Sequence, residues 1–151
     1  MKKIVTVLMA AVLMTTFAFA QKIQEKDVPA AVKTKLTSMF PTAKVEKWEK
    51  EDGKFEAEFE NNGTETSVIF EANGTYVQTE VEIPVTSLPT AINEYVKTNL
   101  AGKKIDEATK ISNANGTISY EVEIGDSDYL FDIDGKFISK ENDDKETDDD
   151  K

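Results

Sequence analysis

The chain contains itself twice, and that repetition limits the fold more than any other feature. Val28-Pro29 recurs as Leu88-Pro89, 60 residues on, and Val32, Leu36 and Phe40 recur at the same offset as Ile92, Val96 and Leu100. Positions i, i+4, i+8 and i+12 keep an apolar stripe on one side of a helix. Ala31 and Ala91 also match. The spacing predicts helices over 28–40 and 88–100, with Asp27 and Ser87 placed to cap free amides. Pro41 and Gly102 supply the stops.

Beyond the helices the match continues with slips. Lys44-Val45-Glu46 pairs with Lys104-Ile105-Asp106 at an offset of 60, and Phe55-Glu56-Ala57-Glu58-Phe59 with Tyr120-Glu121-Val122-Glu123-Ile124 at 65. Phe70-Glu71-Ala72-Asn73-Gly74 pairs with Phe131-Asp132-Ile133-Asp134-Gly135 at 61. Each post-helix segment reads as four strands, near 43–50, 54–60, 65–71 and 75–82, then 104–112, 117–124, 128–133 and 136–140. Asp52-Gly53, Asn62-Gly63, Asn73-Gly74, Asn115-Gly116 and Asp134-Gly135 separate most of them, and such dipeptides between alternating runs signal hairpins. The expected fold is α+β, with two tandem units of one helix and a four-stranded antiparallel meander. Three of the Asn-Gly turns also match the N-glycosylation pattern, at Asn62, Asn73 and Asn115, but turn formation accounts for all three.

The ends differ from this body. Lys2 and Lys3 precede a stretch from Ile4 to Phe19 that is apolar apart from three threonines, and Ala18-Phe19-Ala20 gives a small-residue cleavage pattern. This layout is that of a secretory signal peptide cut after Ala20, the alternative being a membrane anchor. The absence of Cys excludes a lipoprotein anchor. The expected organisation is a signal peptide at 1–20, one unit at 21–83, a second at 84–140, and an acidic tail at 141–151. The tail has seven acidic, two basic and no apolar residues, so it is expected to stay disordered. The expected location is periplasmic or secreted.

With 29 acidic and 18 basic residues the formal charge is −11, and loss of Lys2 and Lys3 takes it to −13. That balance argues against nucleic acid and against anionic membrane surfaces, and steers cationic partners toward the chain. No Cys and no His are present, which removes a disulfide framework, the usual nucleophilic triads and the commonest general base. Glu56 and Glu58 resemble a glycosidase pair only in type, since a flat sheet face offers no water-excluding cleft. Asp132-Ile133-Asp134-Gly135 lacks the twelve-residue frame of a calcium loop. No catalytic residue, cofactor or metal ligand is assigned.

Strand alternation sorts the faces. Phe55, Ala57 and Phe59 oppose Glu56, Glu58 and Glu60; Ile118, Tyr120, Val122 and Ile124 oppose Ser119, Glu121 and Glu123. The apolar side belongs under the helices, leaving the carboxylates on an open face. That face is either a solvated surface that resists association or a platform for a protein or peptide in the cell envelope. Trp48 has two placements: outward beside the acids if Val45 is buried in a regular strand, or inward if a bulge intervenes. The candidate partner-binding set is therefore Trp48, Glu56, Glu58, Glu60, Glu121 and Glu123. Sequestration of cations such as calcium by the acidic surface and tail is the alternative function.

Val28-Pro29-Ala30-Ala31-Val32, Phe40-Pro41-Thr42-Ala43-Lys44-Val45 and Lys47-Trp48-Glu49 resemble the opening of the PepSY-like, beta-lactamase-inhibitor-like family. Phe55 to Phe59 and Tyr120 to Ile124 resemble its Tyr-Glu-Val-Glu strand, and the segments ending in Gly74 and Gly135 its Phe-Asp-x-x-Gly hairpin. The resemblance covers about residues 27–140. It implies small exported bacterial proteins, largely of unknown function, whose two repeats share one continuous curved sheet with helices on one face. It implies no catalytic residues. The second copy departs from the pattern, with Ala108 in place of Trp48 and Ala101-Gly102 in place of Pro41-Thr42.

Overall fold

A computed structural model describes residues 21–142. The expected signal peptide, and the tail beyond Asn142, lie outside the described residues. Among the described residues nine strands form a single antiparallel sheet in sequence order: β1 (Gln21–Ile23), β2 (Lys47–Glu51), β3 (Lys54–Asn61), β4 (Thr64–Phe70), β5 (Tyr76–Glu82), β6 (Glu107–Asn113), β7 (Ile118–Glu123), β8 (Ser127–Asp132) and β9 (Phe137–Asn142). Helices α1 (Ala30–Met39) and α2 (Thr90–Asn99) precede β2 and β6. The fold is thus α+β with an open, curved sheet. Strand β1 had no signal in the sequence, and β9 takes in Glu141 and Asn142, which were expected in the tail.

Each helix starts later than its apolar stripe suggests. A single 3-10 turn comes first, Glu25–Asp27 or Val85–Ser87, and the N-cap is Pro29 or Pro89. The residue before proline is held extended, as in Val28 (ψ 130°) and Leu88 (ψ 146°), so the helix cannot begin until the proline is passed. Asp27 and Ser87 consequently end the 3-10 turns, and neither helix has a side-chain cap. The carbonyl of Pro29 accepts instead from the amides of Val32 and Lys33. At the other end Ala101 and Gly102 take positive φ of 54° and 66°, and the Gly102 amide returns to the Val96 carbonyl at 3.2 Å, closing α2 in a left-handed cap.

Register carries one face through the whole sheet. Val68 opposes Thr79, Thr79 opposes Ser112, and Ser112 opposes Ile118. Directly opposed residues share a face, so the apolar sides of both halves, and both helices, lie on the same side. Two cores form there. Val32 and Leu36 of α1 cover Phe55, Ala57, Phe59, Val68 and Phe70. Ile92 and Val96 of α2 cover Ala108, Val122, Ile124, Tyr129 and Phe131. Burial of one such aliphatic or aromatic side chain contributes about 1.5–3 kcal/mol.

The halves join at β5 and β6. The amide of Ile83 donates to the Ala108 carbonyl and that of Ala114 to the Val77 carbonyl, both at 2.8 Å. On the helix side the Tyr76 hydroxyl donates to the Ser112 carbonyl at 2.8 Å. Two glycines fix how closely each hairpin approaches its helix. A Cβ on Gly74 (φ 84°) would stand 2.7 Å from the Ala31 carbonyl oxygen, and one on Gly135 (φ 81°) 2.9 Å from the Ala91 Cβ. The recurrence of Ala31 and Ala91 thus has the same cause as that of the glycines: short side chains where the hairpin meets the helix.

Trp48 settles inward. It is 6% exposed and belongs to the first core, so the placement beside the acids is corrected. Residues 43–46 do not form regular strand; only the Glu46 amide reaches across, to the Glu58 carbonyl. This irregular lead-in breaks the alternation, and Val45 and Trp48, three positions apart, both pack on the core. Ile105 and Ala108 repeat the pattern in the second half.

Candidate functional site

The open face is built by cross-strand register. One row of outward side chains runs Lys47, Glu58, Ser67, Glu80, Ile111 and Ser119 over β2 to β7. In a neighbouring row Glu49 opposes Glu56 and Glu56 opposes Ile69. Further rows set Glu82 against Thr109, Thr109 against Glu121, and Glu121 against Leu130. Glu107 meets Glu123, which meets Asp128. Seven glutamates line one hollow of about 160 Å³ over β3 to β7: Glu56, Glu58, Glu65, Glu80, Glu82, Glu107 and Glu121. It straddles the seam, so neither half forms it alone.

The sequence candidates are thus divided. Glu56, Glu58 and Glu121 come together in the hollow; Glu60 and Glu123 share its face but stand outside it. Trp48 lies on the opposite side of the sheet. Sequence reasoning missed Glu65, Glu80, Glu82 and Glu107. Glu80 and Glu82 alternate visibly around Val81, but their approach to the β3 carboxylates requires the register. It also missed the apolar residues of this face. Ile69, Ile111 and Leu130 face the open side, and Ile111 is only 7% exposed. Beside the hollow a second cavity of about 290 Å³ shares Glu56 and is floored by Ile69 and Val77.

Negative charge is under-compensated here. Burial is the first cause raising the Glu56 carboxyl above its ordinary 4.5, with repulsion from Glu49 and Glu58 added; a hydrogen bond from the Ser67 hydroxyl opposes the rise. Burial also raises Glu80, with repulsion from Glu56 and Glu51, although the Gln78 amide donates to it at 2.6 Å. Glu107 is raised by burial and then by Glu82, Glu123, Glu65 and Asp128. Lys47 offsets part of this, 3.0 Å from Glu58 and 3.2 Å from Glu49, and its own ammonium is raised first by the Glu58 hydrogen bond. An added positive charge would lower the energy of every raised carboxylate. Among the described residues, no three acidic side chains gather in a geometry that holds a metal ion, and no helix is long and apolar enough to cross a membrane.

An open antiparallel sheet with both helices on one side and carboxylates on the other defines a class of sheet-platform α+β proteins. A family model agrees: the beta-lactamase-inhibitor-like, PepSY-like family matches residues 14–77 and 54–139. The chain belongs to that family. Similar solved structures include a Bacteroides eggerthii protein described as of inferred periplasmic location (21% identity, TM-score 0.67, covering 76% of this chain and 88% of that one). A Bacteroides uniformis protein of the DUF2874 family has 24% identity and a TM-score of 0.63, with coverages of 76% and 88%. A Bacteroides fragilis protein described as BLIP-like has 24% identity and a TM-score of 0.59, with coverages of 76% and 86%. At these identities the likeness establishes the fold. No relative was found among curated proteins.

Proposed function

We propose that this is an exported, non-enzymatic protein of the periplasm or cell exterior, built from two tandem PepSY-like units, whose acidic sheet face binds a cationic segment of a protein or peptide. The observation that carries this reading is the gathering of seven glutamates over the seam, three of which have raised carboxyls. A surface meant only to stay solvated gains nothing from burying like charges together. A Lys or Arg side chain entering the hollow meets converging carboxylates among the hydroxyls of Thr66, Ser67 and Thr109, a charge-complementary seat for a cationic group. The leader pattern at 1–20 supports export, as does the inferred periplasmic location of the Bacteroides eggerthii protein of the same fold. The lack of His and Cys supports a binding rather than a catalytic role.

Affinity capture from the envelope fraction of the source cell tests the reading. Wild-type protein is compared with a Glu58→Gln/Glu80→Gln/Glu107→Gln/Glu121→Gln variant, which keeps side-chain size and removes charge. A partner held by wild type, released by salt and lost to the variant supports it. Identical captured sets would overturn it.

A further inference from the structure

A second surface, on the opposite side of the sheet, has the reverse chemistry. Each half has a groove where the C-terminal turn of its helix faces the lead-in to the next strand. The two grooves correspond: seven of the nine residues lining the second are the counterparts, 60 positions on, of residues lining the first. In the first half Phe40 and Trp48 line the groove, and its volume is about 360 Å³. Their counterparts Leu100 and Ala108 do not line the second, which opens to about 630 Å³.

The replacements also change its chemistry. Val85 stands where the first groove has Glu25, so the floor becomes Val85, Val96 and Ile105. Lys97 and Lys103 stand where it has Thr37 and Ala43, and Lys104 retains the charge of Lys44. One acid opposes these three lysines: Asp106, which Lys104 meets at 3.4 Å. Its carboxyl is held below the ordinary range first by the Gly125 amide and then by Lys104. The result is an apolar trough with a net positive rim on a chain of charge −11.

We propose that this groove beside α2 docks an acidic polypeptide segment of a partner protein through one aromatic side chain, carboxylates on either side of it meeting Lys97, Lys103 and Lys104. The first half shows what such a cleft accepts, because there the chain's own indole packs along it and narrows it. Aromatic anchors seated in a trough with a charged rim are the usual centre of a compact interface. This site does not depend on the acidic face; the two surfaces differ in charge and lie on opposite sides of the sheet.

The probe is the peptide acetyl-Asp-Glu-Trp-Glu-Asp-amide, titrated into methyl-labelled protein and followed by NMR. The expected result is saturable shifts of the Val85, Val96 and Ile105 methyls, absent for the same peptide with Gly replacing Trp. A Val85→Glu/Lys97→Thr/Lys103→Ala variant takes the first half's residues at three lining positions, none of them fully buried. It should keep a wild-type spectrum elsewhere and bind about tenfold more weakly, or worse. Three results would overturn the proposal: no saturation by the Trp peptide, equal binding by the Gly peptide, or unchanged affinity in the variant. Dodecanoate is run in parallel, and shifts with it but not with the peptide would replace the polypeptide occupant with a fatty acid.

Discussion

The two halves share a backbone plan but keep their aromatic mass in different places. In the first, Trp48 is buried against the groove at the C-terminal end of α1, and Phe40 meets Phe59 edge-on with ring centres 5.1 Å apart. In the second that end holds Leu100 and Ala108, and Tyr95 is added to the ring pair Phe131 and Phe137, whose counterparts Phe70 and Tyr76 also meet edge-on under the first hairpin. Tyr95 stacks on Phe137 at 5.2 Å and meets Phe131 edge-on at 5.2 Å. Its counterpart in α1 is the exposed Lys35. A duplicated unit can therefore move bulk from one end of its helix to the other and keep the same sheet. What it changes is which end is left open to solvent.

The sharpest way to break this comparison is Trp48→Ala, which imposes the second half's residue on the first. The second half is built around its buried alanine and leaves a wider groove beside it, whereas the first has no other side chain placed to take the indole's space. The expected loss is about 3–5 kcal/mol, read as a fall in Tm and in the urea midpoint. A loss under about 1 kcal/mol would mean that the core tolerates the indole's removal as the second half tolerates its alanine.

Next in size are the hairpin glycines. Gly74→Ala combines a positive φ with a contact on backbone, whereas Gly135→Ala meets first the Cβ of Ala91. The expected cost is about 2–4 kcal/mol for Gly74→Ala, and less for Gly135→Ala, since its nearest neighbour is a side-chain atom. The same thermal melts rank them, and the reverse order would show that the second hairpin is the more rigid.

The open face then responds to pH. Glu56, Glu80 and Glu107 have folded values raised above 4.5, so the folded state binds protons that the unfolded chain has released. Their contribution is complete below 4.5 and is lost as pH rises through the folded values. The Tm should rise by a few degrees from pH 7.5 to 5.0, and Glu56→Gln/Glu80→Gln should flatten most of that slope. Asp106 has the opposite sign, contributing above its ordinary 3.8 and losing that contribution at lower pH, so it does not offset the rise in this window. A slope unchanged in the double variant would place the protons elsewhere.

What was legible in the sequence was what is local. The stripe from Val28 to Phe40, its echo from Leu88 to Leu100, and the Asn-Gly and Asp-Gly turns depend on neighbours in the chain, and the helices and eight of the strands follow from them. Trp48 was not resolved because an irregular lead-in of four residues, invisible to alternation, decides which side it faces. Glu65, Glu80, Glu82 and Glu107 were missed because a hollow assembled from five strands depends on register across the seam. Ile69, Ile111 and Leu130 were missed for the same reason: each looks like a core residue until its cross-strand partner is known.

The smallest expected effect tests that seam. Tyr76 and Phe137 are counterparts at an offset of 61 and both pack on their cores, but of the two only Tyr76 has a hydroxyl, and among the described residues β5 has a following strand to receive it while β9 is the last strand. That hydroxyl donates across the junction to the Ser112 carbonyl and lies 3.0 Å from Thr79 Oγ1. Tyr76→Phe makes the two positions identical and should cost about 0.5–1.5 kcal/mol. Because the lost bond joins the halves, it should raise amide exchange at Ala114, whose amide bonds to Val77 across the same junction, more than at amides inside either core. Uniform exchange would show instead that β5 and β6 are held by their ladder alone, with the hydroxyl serving only its own half.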